Sequence, residues 1–305
     1  MINLSMHHVL RQASGVAMAL LICGSAANTH AADPISASEL KPGIFLFQGA
    51  GGNVVALADG SDALVIDGGR KQNSDALFKA IREATGASRI KCLFNTHWHP
   101  EQTGLNERAG KDHATIIAHE QTAMYLGHRA ESTLFSGYIA PLPKGSQPTE
   151  RPRGDGSLDF GGQHIEYGYL PAAHTNGDLY VYFPGVNLLV AGGAAGSDEW
   201  PLIDYRNGAF IGGLVRGYEK LAGIGNAQTV VVPAHGRTMT GAEVATQRDM
   251  YQKLFVDLNA WMNKGMGYDD IVDINPLHGY EAQFGDPSVF LDGAYRSMEM
   301  AYVPN

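Results

Sequence analysis

His97-Trp98-His99-Pro100-Glu101-Gln102, two residues beyond the apolar run Ile90-Lys91-Cys92-Leu93-Phe94, decides how this chain is read. The apolar run has the length and the content of a buried strand. Two histidines two positions apart, just past the end of such a strand, can turn both imidazoles toward one metal ion. The next two positions hold Glu101 and Gln102. A second ion beside the first would want an acid and a third imidazole there. The stretch therefore predicts one complete metal site next to an altered one.

Upstream, residues 43–48, 54–57 and 63–66 are β-prone and separated by glycine turns, the last ending in Asp67-Gly68-Gly69. They predict a meander of strands. Residues 74–84 predict a helix, with Ala76, Leu77, Ala80 and Ile81 on one face and Ser74 as its N-cap. Downstream, 115–118 predicts a strand and 120–126 a helix. Residues 128–156 carry Pro141, Pro143, Pro148 and Pro152 and predict a long surface excursion, either a site wall or a plain insertion. Strands follow at 158–160, 164–170, 179–183, 187–191 and 229–232, the last ending in Pro233-Ala234-His235-Gly236. Val244, Met250, Leu254, Leu258 and Trp261 give residues 241–262 an apolar helical face. The tail, at 271–272 and 289–300, is expected to be helical and to pack outside.

A lone His-x-His is weak evidence. Here four chemistry-bearing clusters follow strands in order: Asp67-Gly68-Gly69, His97 to Gln102, His174-Thr175-Asn176-Gly177-Asp178, and His235-Gly236. In that order and context, "NTHWHPEQTG", "AAHTNGDLYVYFP", "VVPAHG" and the upstream "ALVIDGG" resemble the metallo-β-lactamase superfamily over roughly residues 40–250. The resemblance implies an α/β fold, the αββα sandwich of two mixed β-sheets with helices on the outer faces. It implies His97, His99 and His174 as ligands of the first metal, with Asp67 supporting them. Three neutral imidazoles suit Zn²⁺ and leave a fourth position for water, whose ionisation would provide a hydrolytic hydroxide.

The second site departs from the family's pattern. Glu101 stands where the family has an aspartate, Gln102 where it has a histidine, and Gly193 where it has the aspartate that bridges two ions. His235 alone is kept. One Zn²⁺ is therefore expected, with the second place empty or weakly filled, and iron as the alternative metal because other members of the superfamily hold it. Asp198, Glu199 or Asp204 can lend a carboxylate from the nearby loop. Glu101 is expected to move a proton, and Gln102 and His235 to donate hydrogen bonds to a carbonyl oxygen. Drift at an abandoned site is the alternative for Glu101 and Gln102, and a turn hydrogen bond for His235. Trp98 and Trp200 are expected to pack. His113, His119, His128, His164 and His278 match no ligand position, and the Asp269-Asp270 pair reads as a solvated helix cap.

The bulk properties bound the partners. The 305 residues carry a formal charge of -9 with no Lys/Arg cluster, which excludes a nucleic-acid surface. Residues 1–31 read as a secretory signal: Arg11 is their only formal charge, an apolar run spans 13–23, and Thr29-His30-Ala31 offers a cleavage site. That run is too short to cross a bilayer. Residues 32–305 are then expected to form a single domain with a C-terminal helical extension from about 241. Of the two cysteines, Cys23 falls in the signal, so Cys92 stays unpaired as a small buried thiol.

The chain is therefore expected to be a periplasmic or secreted zinc hydrolase. It would act on an ester, lactone, thioester or amide of a small molecule, without a membrane partner after signal cleavage. The alternatives are a non-catalytic metal- or ligand-binding accessory protein on the same fold, or a β-lactamase. Oligomeric state is open.

Overall fold

In the strand Asp62–Ile66, side chains alternate between two apolar interiors. Ala63 and Val65 join a cluster with Leu77, Phe78 and Ile81, whereas Leu64 and Ile66 join one with Val181, Phe183, Val190 and Val232. A strand buried on both faces lies in the middle of a layered structure, and the whole fold follows from that.

The computed structural model describes residues 34–302 apart from 133 and 136, so the signal reading of residues 1–31 lies outside the described residues. The first half runs β1 (Ser36–Lys41), β2 (Ile44–Gln48), β3 (Val54–Asp59), β4 (Asp62–Ile66), α1 (Ser74–Thr85), β5 (Arg89–Phe94), α2 (Asn106–Lys111), β6 (Thr115–Ile117) and α3 (Glu120–Gly127). After the short hairpin β7 (Ala130–Glu131) and β8 (Tyr138–Ile139) come β9 (Gly156–Phe160), β10 (Gln163–Leu170), β11 (Asp178–Phe183) and β12 (Leu188–Gly192). The chain continues with α4 (Ile211–Ala222), β13 (Val230–Pro233), β14 (Met239–Thr240) and α5 (Gly241–Met262), and closes with α6 (Tyr268–Ile274), α7 (Glu281–Phe284) and α8 (Ser288–Tyr302).

Two six-stranded sheets result, ordered β1-β2-β3-β4-β5-β6 and β14-β13-β12-β11-β10-β9. Both are mixed: β4/β5, β5/β6 and β12/β13 are parallel and the remaining neighbours antiparallel. The sheets face each other across Leu46, Val55, Leu64, Phe94, Ile165, Val181 and Val190. Helices α1 and α2 cover the outer face of the first, and α4, α5 and the C-terminal helices that of the second. This is the αββα sandwich.

A parallel pair needs a crossover, so β4, β5, β12 and β13 all release the chain at one edge of the sandwich. That edge receives Asp67, the His97 loop, Gly193 and His235. Two backbone bonds stitch the halves there, Leu179 N–H to Thr96 O at 2.8 Å and Asn53 N–H to Ala234 O at 2.7 Å.

Most strands lie within a residue or two of expectation. Helix α4 does not show in the sequence, because Gly212, Gly213 and Gly217 lower its helical propensity. Its glycines are needed for close packing: a Cβ on Gly213 would stand 2.0 Å from Ala172 O. The expected cap of α1 is corrected, since Asn73 occupies the N-cap and Ser74 is already helical. The stretch 128–156 is more than a surface excursion: it contains β7 and β8 and buries Ser132 and Ser146. The tail likewise does not simply pack outside, because Ile271, Phe284, Phe290, Leu291 and Met298 belong to the core under the second sheet. Among the described residues no helix is long and apolar enough to cross a membrane.

Candidate metal centre

His97 and His99 lie on the loop that leaves β5, and His174 on the turn between β10 and β11. All three are buried, at 1%, 0% and 6% exposure. Their ring centroids form a near-equilateral triangle of 4.7–4.9 Å sides with the rings mutually edge-on, and one nitrogen from each lies within 4.8 Å of the other two.

The outer nitrogen of each ring is held, and these contacts fix the tautomers. His174 Nδ1 lies 2.6 Å from Leu202 O, which can only accept, so Nδ1 carries the proton. His99 Nε2 lies 3.1 Å from Asp204 Oδ2. Burial alone would raise the Asp204 pKa, but hydrogen bonds from His99, Asn207 and Ser132 hold it below the ordinary carboxylate value, so Asp204 is ionised and accepts. His97 Nδ1 lies 3.0 Å from Thr96 Oγ1, whose only proton goes to Asp67 Oδ2 at 2.8 Å, so Nδ1 donates. Each ring therefore turns its other nitrogen inward. His174 Nε2 and His99 Nδ1 face each other at 3.0 Å, close enough to share one electron-poor centre. Burial, reinforced by the neighbouring imidazoles, pushes the His174 pKa down to about 3 and that of His97 well below its usual value, so both rings stay neutral. Three imidazoles in a closed triad fit a divalent transition metal with an open position.

The support is layered. Asp67 reaches His97 only through Thr96, accepting its N–H and its hydroxyl, both at 2.8 Å. Burial pushes Asp67 up to about 7 despite those bonds. Asp178 holds the His174 turn by accepting His174 N–H at 2.7 Å, Thr175 N–H at 2.8 Å and the Thr175 hydroxyl at 2.7 Å. Burial raises it too to about 7. Of the three acids in the loop after β12, Asp204 is the one that reaches a ligand ring, whereas Asp198 pairs with Arg237. Thr96, Asp178, Ser132, Asn207 and the Leu202 carbonyl are supports that sequence reading missed. Only Asp178 left a signal, as the last residue of His-Thr-Asn-Gly-Asp.

His97 and His174 open on a small cavity of about 40 Å³. Glu101, Glu199 and His235 line it together with His97, His174, Gly193 and the apolar walls Leu134, Trp200, Pro201 and Leu202. Glu101 Oε1 is 3.9 Å from His99 Nδ1, and its Oε2 is buried without a hydrogen-bond partner among the described residues. Glu101 and His235 thus reach the cavity together. Gln102 is fully buried, and its amide lies against Gly52, where a Cβ would stand 2.5 Å from Nε2; neither amide atom has a partner among the described residues. At Gly193 a Cβ would stand 2.3 Å from His174 Cδ2, so the imidazole occupies the space a side chain at 193 would need.

The remaining expectations fall into place around this centre. Trp98 is buried and stacks on Tyr125 at 4.9 Å, and Trp200 is buried as well. His119 caps α3 and stacks on Tyr169, while His113, His128, His164 and His278 are exposed. Asp270 accepts the Gly267 N–H at the start of α6, as a cap should.

A model of the metallo-beta-lactamase superfamily matches residues 48–250. Solved structures similar to this one include a metallo-beta-lactamase from Pontibacter korlensis, 18% identical, covering 72% of this chain and 99% of its own, with a TM-score of 0.58. DIM-1 metallo-beta-lactamase is 20% identical over 72% of this chain and 98% of its own, with a TM-score of 0.55. At such identities the likeness is one of fold. A search of curated proteins finds no match.

Proposed function

We propose that this chain, which belongs to the metallo-beta-lactamase superfamily, is a secreted or periplasmic hydrolase that works with one zinc ion on an ester, lactone, thioester or amide of a small molecule. The observation that carries the reading is the inward convergence of three ring nitrogens whose outer partners are all tied down. A donor set of imidazoles without a carboxylate favours zinc over iron. When bound, the ion supplies Lewis acidity, which polarises a carbonyl and acidifies water by several pKa units.

The chain's own residues do the rest. Glu101, facing the cavity beside His99, takes a proton from the attacking water and returns it to the leaving group. Water's oxygen joins the carbonyl carbon, the bond to the leaving oxygen, sulfur or nitrogen breaks, and that atom leaves protonated. His235 offers a hydrogen bond to the carbonyl oxygen as its charge grows. Leu134, Trp200, Pro201 and Leu202 keep bulk water from the reacting atoms.

One observation favours a second reading. Gly193 cannot carry a bridging ligand while His174 stands where it does, and Gln102 is a poor competitor for zinc. A chain that has lost the second ion can serve as a metal- or ligand-binding accessory protein. Metal analysis of the purified protein, paired with chromogenic esters, lactones and cephalosporins, separates the two. The hydrolase reading expects one equivalent of zinc, turnover on at least one class, and a loss of ~100-fold or more in Glu101→Gln with zinc retained. Stoichiometric zinc without turnover on any class gives the accessory reading instead.

A further inference from the structure

Two of the three inward-turned imidazoles are oriented by one short stretch, Leu202 to Asp204. The Leu202 carbonyl holds His174 Nδ1, the Asp204 carboxylate holds His99 Nε2, and the Asp204 N–H bonds His174 O at 3.0 Å. This stretch lies in a connection from Gly193 to Asp204 that has neither helix nor strand of its own. Such a connection lacks a ladder to fix its carbonyls and acids to within a fraction of an ångström. Ser132 and Asn207 hold the Asp204 carboxylate, and the residues just before it are held from behind.

Trp200, two residues before Leu202, stacks on Phe290 of α8 at 5.2 Å with the rings nearly parallel, and packs on Phe284 of α7 at 4.7 Å. Its Nε1–H donates to Gly285 O at 3.0 Å. Gly293 of α8 presents its backbone to Ile203, where a Cβ would stand 3.4 Å from Ile203 Cβ, an ordinary contact. Ser297, one turn further along α8, accepts the Ile211 N–H at 3.1 Å, where α4 starts. Every one of these braces comes from beyond residue 250, where the match to the family ends.

We propose that the C-terminal helices, residues 268–302, are a positioning element of the metal centre, acting through Trp200 and Ile203 on the Leu202 carbonyl and the Asp204 carboxylate. The helices touch no reacting atom. They set the angle at which His99 and His174 meet the ion, and with it the affinity for metal. The inference rests on reading the histidine trio as a metal site.

The test compares Trp200→Ala, Trp200→Phe and Phe290→Leu in the full chain with a control, Leu77→Ala, in the core on the far side of the first sheet. Three quantities are read: melting temperature, zinc dissociation constant by chelator competition, and the visible spectrum of the cobalt-substituted protein, which reports coordination geometry. Trp200→Ala is expected to weaken zinc ~10–100-fold and to shift the cobalt spectrum, with Trp200→Phe in between. Leu77→Ala is expected to lower the melting temperature comparably while leaving affinity and spectrum unchanged. Should Trp200→Ala fail to fold, Phe290→Leu, which keeps Trp200, carries the comparison. Wild-type affinity and spectrum in the Trp200 and Phe290 variants overturn the positioning role alone, as does an equal loss of affinity in the control. A wild-type chain that takes up neither zinc nor cobalt overturns the metal reading and this one together.

Discussion

Asp204 shows how much a single residue decides at this site. Its carboxylate is buried, which by itself would favour the neutral form, yet three donors keep it ionised, and in that state it fixes the His99 tautomer. Asp204→Asn preserves shape but can present an N–H where His99 needs an acceptor. Zinc affinity is expected to fall ~10–100-fold, as chelator competition would measure, whereas Glu101→Gln should leave affinity near wild type. An Asp204→Asn variant that binds zinc as tightly as wild type removes the orienting role. The three imidazoles were legible in the sequence because metal chemistry restricts residue type and places each at a strand end. Their supports were not. A Leu202 carbonyl looks like any other carbonyl, and Thr96 gains its role from the position of Asp67, 29 residues away in sequence.

Among the elements, β5 and β12 show what a strand end contributes. β5 delivers the His97 loop, and within it Cys92 turns toward the space between the sheets. Burial pushes the Cys92 thiol up to about 12 from an ordinary 9, so at pH 8 it is almost wholly protonated and shielded. Iodoacetamide at pH 8 should therefore label it only when the chain unfolds; rapid labelling of the native protein contradicts the packing of β5. β12 ends at Gly192-Gly193, and Gly193→Ala would put a methyl into the His174 ring at 2.3 Å. The imidazole must move, so zinc affinity should drop by at least ~10-fold while the melting temperature of the metal-free protein changes little. A Gly193→Ala variant with undiminished affinity would show that the ring has room to give. The strands were readable from apolar runs bounded by glycine. Helix α4 was not, because Gly213 is explained by the backbone of residues 171–172 and Gly212 and Gly217 by side chains packed on them, and no local propensity records those contacts.

For the molecule as a whole, the metal would join two halves. His97 and His99 come from the first sheet's loops and His174 from the second's, at an edge also joined by backbone bonds and by the Gln48 and Asn53 amides. A ligand at 1,000 times its dissociation constant stabilises the folded state by about 4 kcal/mol, and in a domain of this size each kcal/mol moves the melting temperature roughly 2–4 °C. Chelation is thus expected to lower it by ~8–16 °C, measurable by calorimetry; an unchanged value means that no ion bridges the halves. What the sequence by itself determined is the layered α/β plan, the three imidazoles and the departure from the family at Glu101, Gln102 and Gly193, because hydrophobic alternation and donor chemistry are written in residue types. What only the tertiary structure decided is which nitrogen of each ring points inward, that Asp204 serves His99, that His174 closes the space at Gly193, and that the last helices brace the loop carrying Leu202 and Asp204. Those outcomes depend on contacts between residues far apart in the chain, and distances of that kind exist only once the sheets have packed.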